Sequence, residues 1–300
     1  MAQLFTSIDD ARPNPQKRNI LILKLSRAPW WLLALIIFVV VFVLSVSEST
    51  TYQNAWAAVR KGIWTTIWVT VVAYSIALVL GLMLALLRRP SRSVTYNLFV
   101  YQPATIIVEF IRGIPTLVFV LYFALALVPQ MVGLLNGLGT SMIERDIDAL
   151  RGIGEWLAAL VPRDVPTVWR AIAALAISYA AFLSEVFRAG LDSVDQGQRE
   201  AARSLGMSQW QVMRFVVLPQ AIRNILPALG NDFIAMLKES SLVSVVGVQD
   251  ITRAGQSFAA ATFTFFQSYN VVAVTYLVLT LTLSMFVGLI ERYLGRGRRD

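Results

Sequence analysis

Hydrophobic residues in this chain come in long uncharged runs, separated by short polar segments rich in arginine, and the runs have the length of membrane spans. The clearest is Ile63 to Leu87, 25 residues without a charge, which ends in Arg88-Arg89-Pro90-Ser91-Arg92. A helix of that length crosses a bilayer with some tilt. An earlier uncharged run, Trp30 to Val46, follows a polar, basic stretch over residues 1–29. No clear small-x-small cleavage site follows it, so a retained first span is expected, with residues 1–29 as a basic cytoplasmic N-terminus. Ser93 to Val128 is too long for one crossing, because its 36 residues at 1.5 Å each would reach about 54 Å against a hydrocarbon core of about 30 Å. A break at Gly113-Ile114-Pro115 divides it into a helix along the cytoplasmic interface and a crossing over Ile114 to Val128.

The segment Gln130 to Thr167 is mixed, with apolar Ile143, Ile147, Leu150, Leu157 and Leu160 at helical spacing, and predicts an amphipathic helix in an outer loop, 130–167. Ala171 to Phe187 then crosses inward. After it comes a polar island, Asp195 to Pro219, within a cytoplasmic loop over 191–219. Asp195 with Gln198, and Ser208 with Gln211, have the form of two capping boxes, and Gly206 between them suits a left-handed stop. The expected local structure is helix, glycine turn, helix, closed by Pro219. The chain returns outward through Ala221 to Leu237, bent at Pro227, and continues through Leu242 to Val248. Val271 to Ile290 is the last span.

Charge tests this order. Of the 26 basic residues, 18 fall in the four segments placed inside, including Arg12, Lys17, Arg18, Lys24 and Arg27 before the first span and Arg296, Arg298 and Arg299 after the last. That bias supports an all-α integral membrane protein of about six transmembrane helices with both termini cytoplasmic. Composition agrees, with 57% hydrophobic and 15% charged residues and a mean hydropathy of +0.64. The net charge of +8 therefore marks inner loops and not a nucleic-acid partner. Cysteine and histidine are both absent, which excludes disulfides, thiolate and imidazole metal sites, and histidine bases.

Charges inside the spans are the candidate chemistry. Glu109 with Arg112, and Glu185 with Arg188, are spaced i, i+3 near the cytoplasmic face and read either as interfacial ion pairs or as part of a pathway. Lys238, Glu239 and Ser241 offer both charges and a hydroxyl to a zwitterion, or form an outer turn whose side chains reach water. Asn231 and Asp232 lie in mid-span, and no basic residue stands within a helical turn of Asp232. A pathway lining and an interhelical hydrogen bond are both open to them.

The polar island carries a spaced signature: Glu200-Ala201-Ala202, three residues, Gly206, nine residues, then Val216-Val217-Leu218-Pro219. This resembles the cytoplasmic loop of ABC-transporter permeases, with Val216 at an isoleucine position. Glu109-Phe-Ile-Arg112-Gly113-Ile-Pro115, Ser184-Glu185-Val-Phe-Arg188, Gly197-Gln198-Arg-Glu200, Leu218-Pro219-Gln220, Leu226-Pro227-Ala-Leu229-Gly-Asn231 and Lys238-Glu239-Ser-Ser241-Leu242 extend the likeness to the polar amino-acid branch, the histidine/glutamine type, over residues 55–295. Two departures are an added first helix over 30–46 and the long outer loop.

The resemblance implies a type I importer permease fold in the bacterial inner membrane and a translocation pathway for polar amino acids. It further implies an extracytoplasmic solute-binding protein, a second permease subunit, identical or paralogous, and a separate pair of ATPase subunits that bind ATP and magnesium. Gly197, Glu200, Ala201, Ala202, Gly206, Trp210, Leu218 and Pro219 would form the ATPase-coupling surface. This chain has no Gly-x-x-x-x-Gly-Lys-Ser/Thr loop, and no cofactor or enzymatic activity of its own is expected. A DNA-binding helix-turn-helix is disfavoured because the helix pair is tied to the membrane on both sides. The competing function is a self-contained secondary transporter or channel whose intramembrane carboxylates carry ions.

Overall fold

The computed structural model describes residues 30–144 and 148–295, and within them every regular element is helical. The basic segment 1–29, Ile147, the Leu150 side chain and the tail arginines Arg296, Arg298 and Arg299 lie outside what it describes. Helix α1, Trp30–Glu48, belongs to a separate unit ending at Gln53. Within that unit Phe42 stacks edge-on against Tyr52 at 5.9 Å, and the Gln53 side chain donates to the Ser47 carbonyl at 2.9 Å.

The second unit begins at Asn54 and contains all but the first four residues of the next helix, together with the helices that follow. Helix α2 is Thr50–Leu87. Helix α3 covers 94–113 and includes a π-helical turn at Asn97–Tyr101. Helix α4 is Thr116–Glu144, with a second π turn at Phe123–Leu127. The chain continues through α5 (Asp148–Ala159), α6 (Thr167–Asp192), α7 (Gln196–Ser204) and α8, which covers 209–239. A 3-10 segment, Ser240–Val246, then leads to α9 (Ile251–Thr262) and α10 (Phe265–Gly295).

Five helical stretches among the described residues are long and apolar enough to cross a membrane: Thr50–Leu87, Thr116–Glu144, Thr167–Asp192, Gln209–Val246 and Phe265–Glu291. Helix α1, Trp30–Glu48, is itself 19 residues long and apolar in sequence. The central helix is α6, with 61% of its apolar window buried against 22% for those of α4, α8 and α10. Its alanine-rich face makes this possible, since Ala171, Ala174, Ala176 and Ala181 are all fully buried and small residues let helix backbones approach. The same device holds α2 on α6, where a Cβ at Gly81 would sit 2.9 Å from that of Leu183.

The break at Gly113-Ile114-Pro115 falls where the pattern places it. Ile114 leaves the helix in extended conformation, and Pro115 caps the next one. The crossing expected to stop at Val128, however, continues as helix to Glu144. Segment 130–167 is therefore not one amphipathic surface helix but a hairpin of the end of α4 with α5. Two glycines explain it: a Cβ at Gly139 would lie 2.4 Å from the Ala158 nitrogen and 2.6 Å from the Gly154 carbonyl. Asn136 locks the pair by donating to the carbonyls of Ala158 and Leu160.

Two further expectations are corrected. Pro219 does not close the second helix of the polar island. The chain forms a π turn at Val212–Val217, and the Leu218 N–H bonds back to the Met213 carbonyl. The widened turn accommodates a ring that has no N–H to offer, and the helix runs on past Pro219 and Pro227. The stretch Leu242 to Val248 does not continue the span as α-helix either. It tightens into 3-10 geometry and ends at Gly247, whose φ of +92° is left-handed.

Asp250 anchors α9 to the neighbouring helices. It is fully buried, caps α9 by accepting from the Arg253 N–H at 2.7 Å, and accepts from the Tyr276 hydroxyl of α10 at 3.1 Å. The Ile251 N–H donates to Thr66 of α2 at 3.2 Å. Burial raises the Asp250 carboxyl above its usual value of 3.8, although these bonds pull the other way. A raised pKa means that the folded chain binds the proton more tightly than the unfolded one, so ionisation costs stability as pH climbs from about 4 toward the native value. Asp250→Ala is expected to lose about 1–2 kcal/mol, the scale of an N-cap. Asp250→Asn keeps an acceptor for the cap and should gain on wild type as pH rises through that window. Thermal unfolding in detergent across pH 4–8 checks both.

Candidate functional site: a docking surface, an ion-pair seam and a polar interior

The polar island folds into a knob at one end of the bundle. Asp195 starts α7 by accepting from the Gly197 N–H at 2.8 Å. The reciprocal half of the expected box is missing, because the Gln198 side chain instead accepts from Gln220 of α8 at 2.5 Å. Gly206 takes φ +80°, with the Met207 N–H bonded to the Ala202 carbonyl at 3.2 Å, the geometry of a left-handed helix stop. The second box is complete, Ser208 and Gln211 each satisfying the other's backbone.

The knob has two faces. One packs inward: Ala202 joins Leu191, Val194, Val212, Val217, Ala221 and Ile225 in a small core. Ala202 therefore holds α7 against the bundle and is not part of the free surface, which corrects its expected place there. The other face is apolar and open, with Leu205 84%, Trp210 62% and Phe215 61% exposed. Gly197, Glu200, Ala201, Gly206, Leu218 and Pro219 are exposed as well. Arg214 lies over the Trp210 ring at 4.9 Å and orients it.

Behind the knob, the two ion pairs seen in the sequence become one network. Glu185 pairs with Arg188 at 2.6 Å, and Glu109 with Arg112 at 3.7 Å. Arg112 also reaches Glu185, at 3.5 Å. A second joining residue is Arg88, just past the end of α2, which bonds Glu185 at 2.6 Å and Glu109 at 3.1 Å. Nothing local separated Arg88 from Arg89 and Arg92 in the basic stop after the span, so pattern reading passed over it.

Deeper in the bundle, Asp232 of α8 shares a region with Tyr74 of α2 and Tyr179 of α6, and Tyr179 also lies against Glu239. Asp232 and Glu239, seven residues apart, fall on one face of α8. Asn231 and Lys238 are exposed and point elsewhere, and Ser241 is half-buried. The Tyr74 hydroxyl donates to the Leu229 carbonyl at 2.6 Å. A cavity of about 820 Å³ opens between α2, α8 and α10. It is polar near the knob, at Asp195, Arg223, Asn224 and Glu291, and apolar above, at Phe233 and Phe286. Among the described residues no group of three or more acidic side chains is placed to hold a metal ion.

A multi-helix apolar bundle, a polar knob with an open apolar face and a polar interior define a membrane permease. Residues 77–300 match the model of the family described as binding-protein-dependent transport system inner membrane component. The chain belongs to that family, and with it to the multi-pass inner-membrane permeases of amino-acid ABC transporters. It is 36% identical over 202 residues, 66% of this chain and 76% of the relative, to the probable amino-acid permease protein YxeN of Bacillus subtilis (strain 168). It is 40% identical over 122 residues to the glutamine transport system permease protein GlnP of Escherichia coli (strain K12), covering 41% of this chain and 56% of that protein. The match to GlnP therefore spans little more than half of that relative's length. Among solved structures, an amino acid ABC transporter crystallised with histidines aligns with a TM-score of 0.62 and 35% identity over 83% of this chain and 97% of that one. The methionine transporter MetNI in an inward-facing form aligns at 0.59 with 19% identity, over 79% and 96% of the two chains, a likeness of fold alone.

Proposed function

We propose that this chain forms the translocation pathway for polar amino acids in an ABC importer and takes its driving force from ATP hydrolysed on a separate pair of ATPase subunits, which bind the ATP and magnesium. A second permease subunit and an extracytoplasmic solute-binding protein complete the assembly. The observation that carries the reading is the open face of the knob. Leu205, Trp210 and Phe215 are large apolar residues exposed on a polar segment, and such a patch on a polar rim marks a protein contact. Glu200, exposed on the same segment, is open to a basic group on the partner. The two carboxylates on α8, with Tyr74 and Tyr179, are the candidate interior of the pathway, and the cavity above Asp195 is its vestibule. Lys238 and Ser241 are further candidates at the distal end.

The test is a mild-detergent pull-down of the tagged chain from its native membrane, followed by ATPase assays with a panel of amino acids. Recovery of a nucleotide-binding subunit whose hydrolysis rises with one class of amino acid, together with its binding protein, is the expected result. Trp210→Ala should weaken that capture by about 30-fold, the effect of an interface anchor worth about 2 kcal/mol. A chain that purifies alone and transports in ATP-free vesicles under an ion gradient is instead a secondary transporter.

A further inference from the structure

Among the described residues Arg88 is the only buried basic side chain, and the charges it meets do not need it for neutrality. Glu109 has Arg112 and Glu185 has Arg188, each three residues along its own helix. Arg88 adds a third guanidinium to two carboxylates, and its Nε is buried without a hydrogen-bond partner. An excess buried charge is unfavourable as a stabilising device.

Arg112 already links α3 to α6 through Glu185 at 3.5 Å; what Arg88 adds is the end of α2, bonded to both carboxylates at once. One Nη bonds Glu185 of α6 at 2.6 Å, and the other bonds Glu109 of α3 at 3.1 Å, while the backbone of Arg88 is still held by the last turn of α2. Contacts on either side extend the seam. The Tyr96 hydroxyl of α3 donates to the Leu87 carbonyl at 3.1 Å, and Arg89 reaches Asp192, the last residue of α6, at 3.9 Å. Three residues further, Asp195 caps the knob helix. Glu185 lies seven residues before that end of α6, about 10.5 Å at helical rise. On the far side, Glu109 stands just before the Ile114–Pro115 break where α3 turns into α4.

We infer that Arg88 is a positioning residue that clamps the ends of α2, α3 and α6 into one body, so that a displacement of the knob helix is delivered to the α3–α4 break. The clamp rests on the ATPase-coupled reading above, and its failure is distinguishable from the failure of that reading. A planar guanidinium holds two carboxylates at once, whereas an ammonium acts as a single point charge. Arg88→Lys should therefore restore only part of what Arg88→Gln loses.

The experiment reconstitutes the whole complex, with its ATPase and binding protein, and measures hydrolysis together with uptake of radiolabelled glutamine and arginine. Arg88→Gln is expected to assemble and keep basal hydrolysis, while uptake per ATP falls about fivefold or more, the lower end of measured coupling between sites. Arg88→Lys should fall in between. An unchanged uptake per ATP in assembled Arg88→Gln overturns the clamp, including where uptake and hydrolysis fall in proportion. Should Arg88→Gln fail to assemble, the ratio is read in Arg88→Lys, where the wild-type value overturns the inference. Wild-type uptake that needs no ATP overturns the functional reading and the clamp with it.

Discussion

Gly62→Leu is expected to abolish accumulation of the folded chain in membranes. A Cβ at Gly62 on α2 would lie 2.3 to 2.5 Å from the Asp250 carbonyl group and the Ile251 nitrogen, and these are backbone atoms that cannot rotate aside. The same backbone is pinned by Thr66 and by the cap of α9, so it has little freedom to retreat. Overpacking a well-filled contact costs about 1–3 kcal/mol. Here that cost comes with the loss of the Asp250 bonds to α9 and α10, and a large fraction of a typical folding free energy of about 5–15 kcal/mol is spent. Even Gly62→Ala should lower the detergent melting temperature clearly. Gly133→Ala on α4 is the control, since nothing lies within 4 Å of its Cβ position. Alanine there should be neutral or slightly stabilising. Equal melting temperatures for Gly62→Ala and wild type would show that the α2–α9 contact is slack.

The second large effect is expected at the knob, and it is functional. Gly206→Trp and Glu200→Arg should leave membrane insertion intact while uptake falls to background and hydrolysis by the ATPase is uncoupled. Gly206 has φ +80° and open space around its Cβ position, so a tryptophan strains the turn locally, by about 1–2 kcal/mol, without striking the bundle. The bulk would instead project where a partner has to seat. Glu200 is exposed, with Gln196 as its side-chain partner at 2.7 Å, so reversing its charge disturbs little within the chain. Vesicles carrying the assembled complex measure both activities. Normal transport by both variants would remove the knob from the coupling surface.

Part of this architecture was legible because it is local. Uncharged runs placed the spans, and Gly113-Ile114-Pro115 broke the chain where proline and the residue before it leave the helix. Gly206 and the Ser208–Gln211 box placed the knob's turn because a positive φ and a cap depend on a few adjacent residues. Other features depended on partners distant in the chain. Pro219 reads as a stop, yet a π turn ending two residues upstream lets the helix continue. The Asp195–Gln198 box reads as complete, yet Gln198 finds Gln220, 22 residues away. Segment 130–167 reads as one amphipathic helix, and only the fit of Gly139 against α5 turns it into a hairpin.

The candidate site divides along the same line. From the sequence by itself came an inner-membrane permease with a spaced Glu-Ala-Ala, Gly, Leu-Pro signature and two pairs of charges at i, i+3, because hydropathy, loop charge and cap chemistry are written in neighbouring residues. The tertiary structure alone decided that Ala202 turns inward while Leu205, Trp210 and Phe215 stay open. It alone decided that Asp232 and Glu239 meet tyrosines from α2 and α6, and that Arg112 and Arg88 draw the two pairs into a single network. Burial and ion pairing between helices are set by which faces meet, and residues 21 and 97 positions from Arg88 become its neighbours only once α2, α3 and α6 have packed.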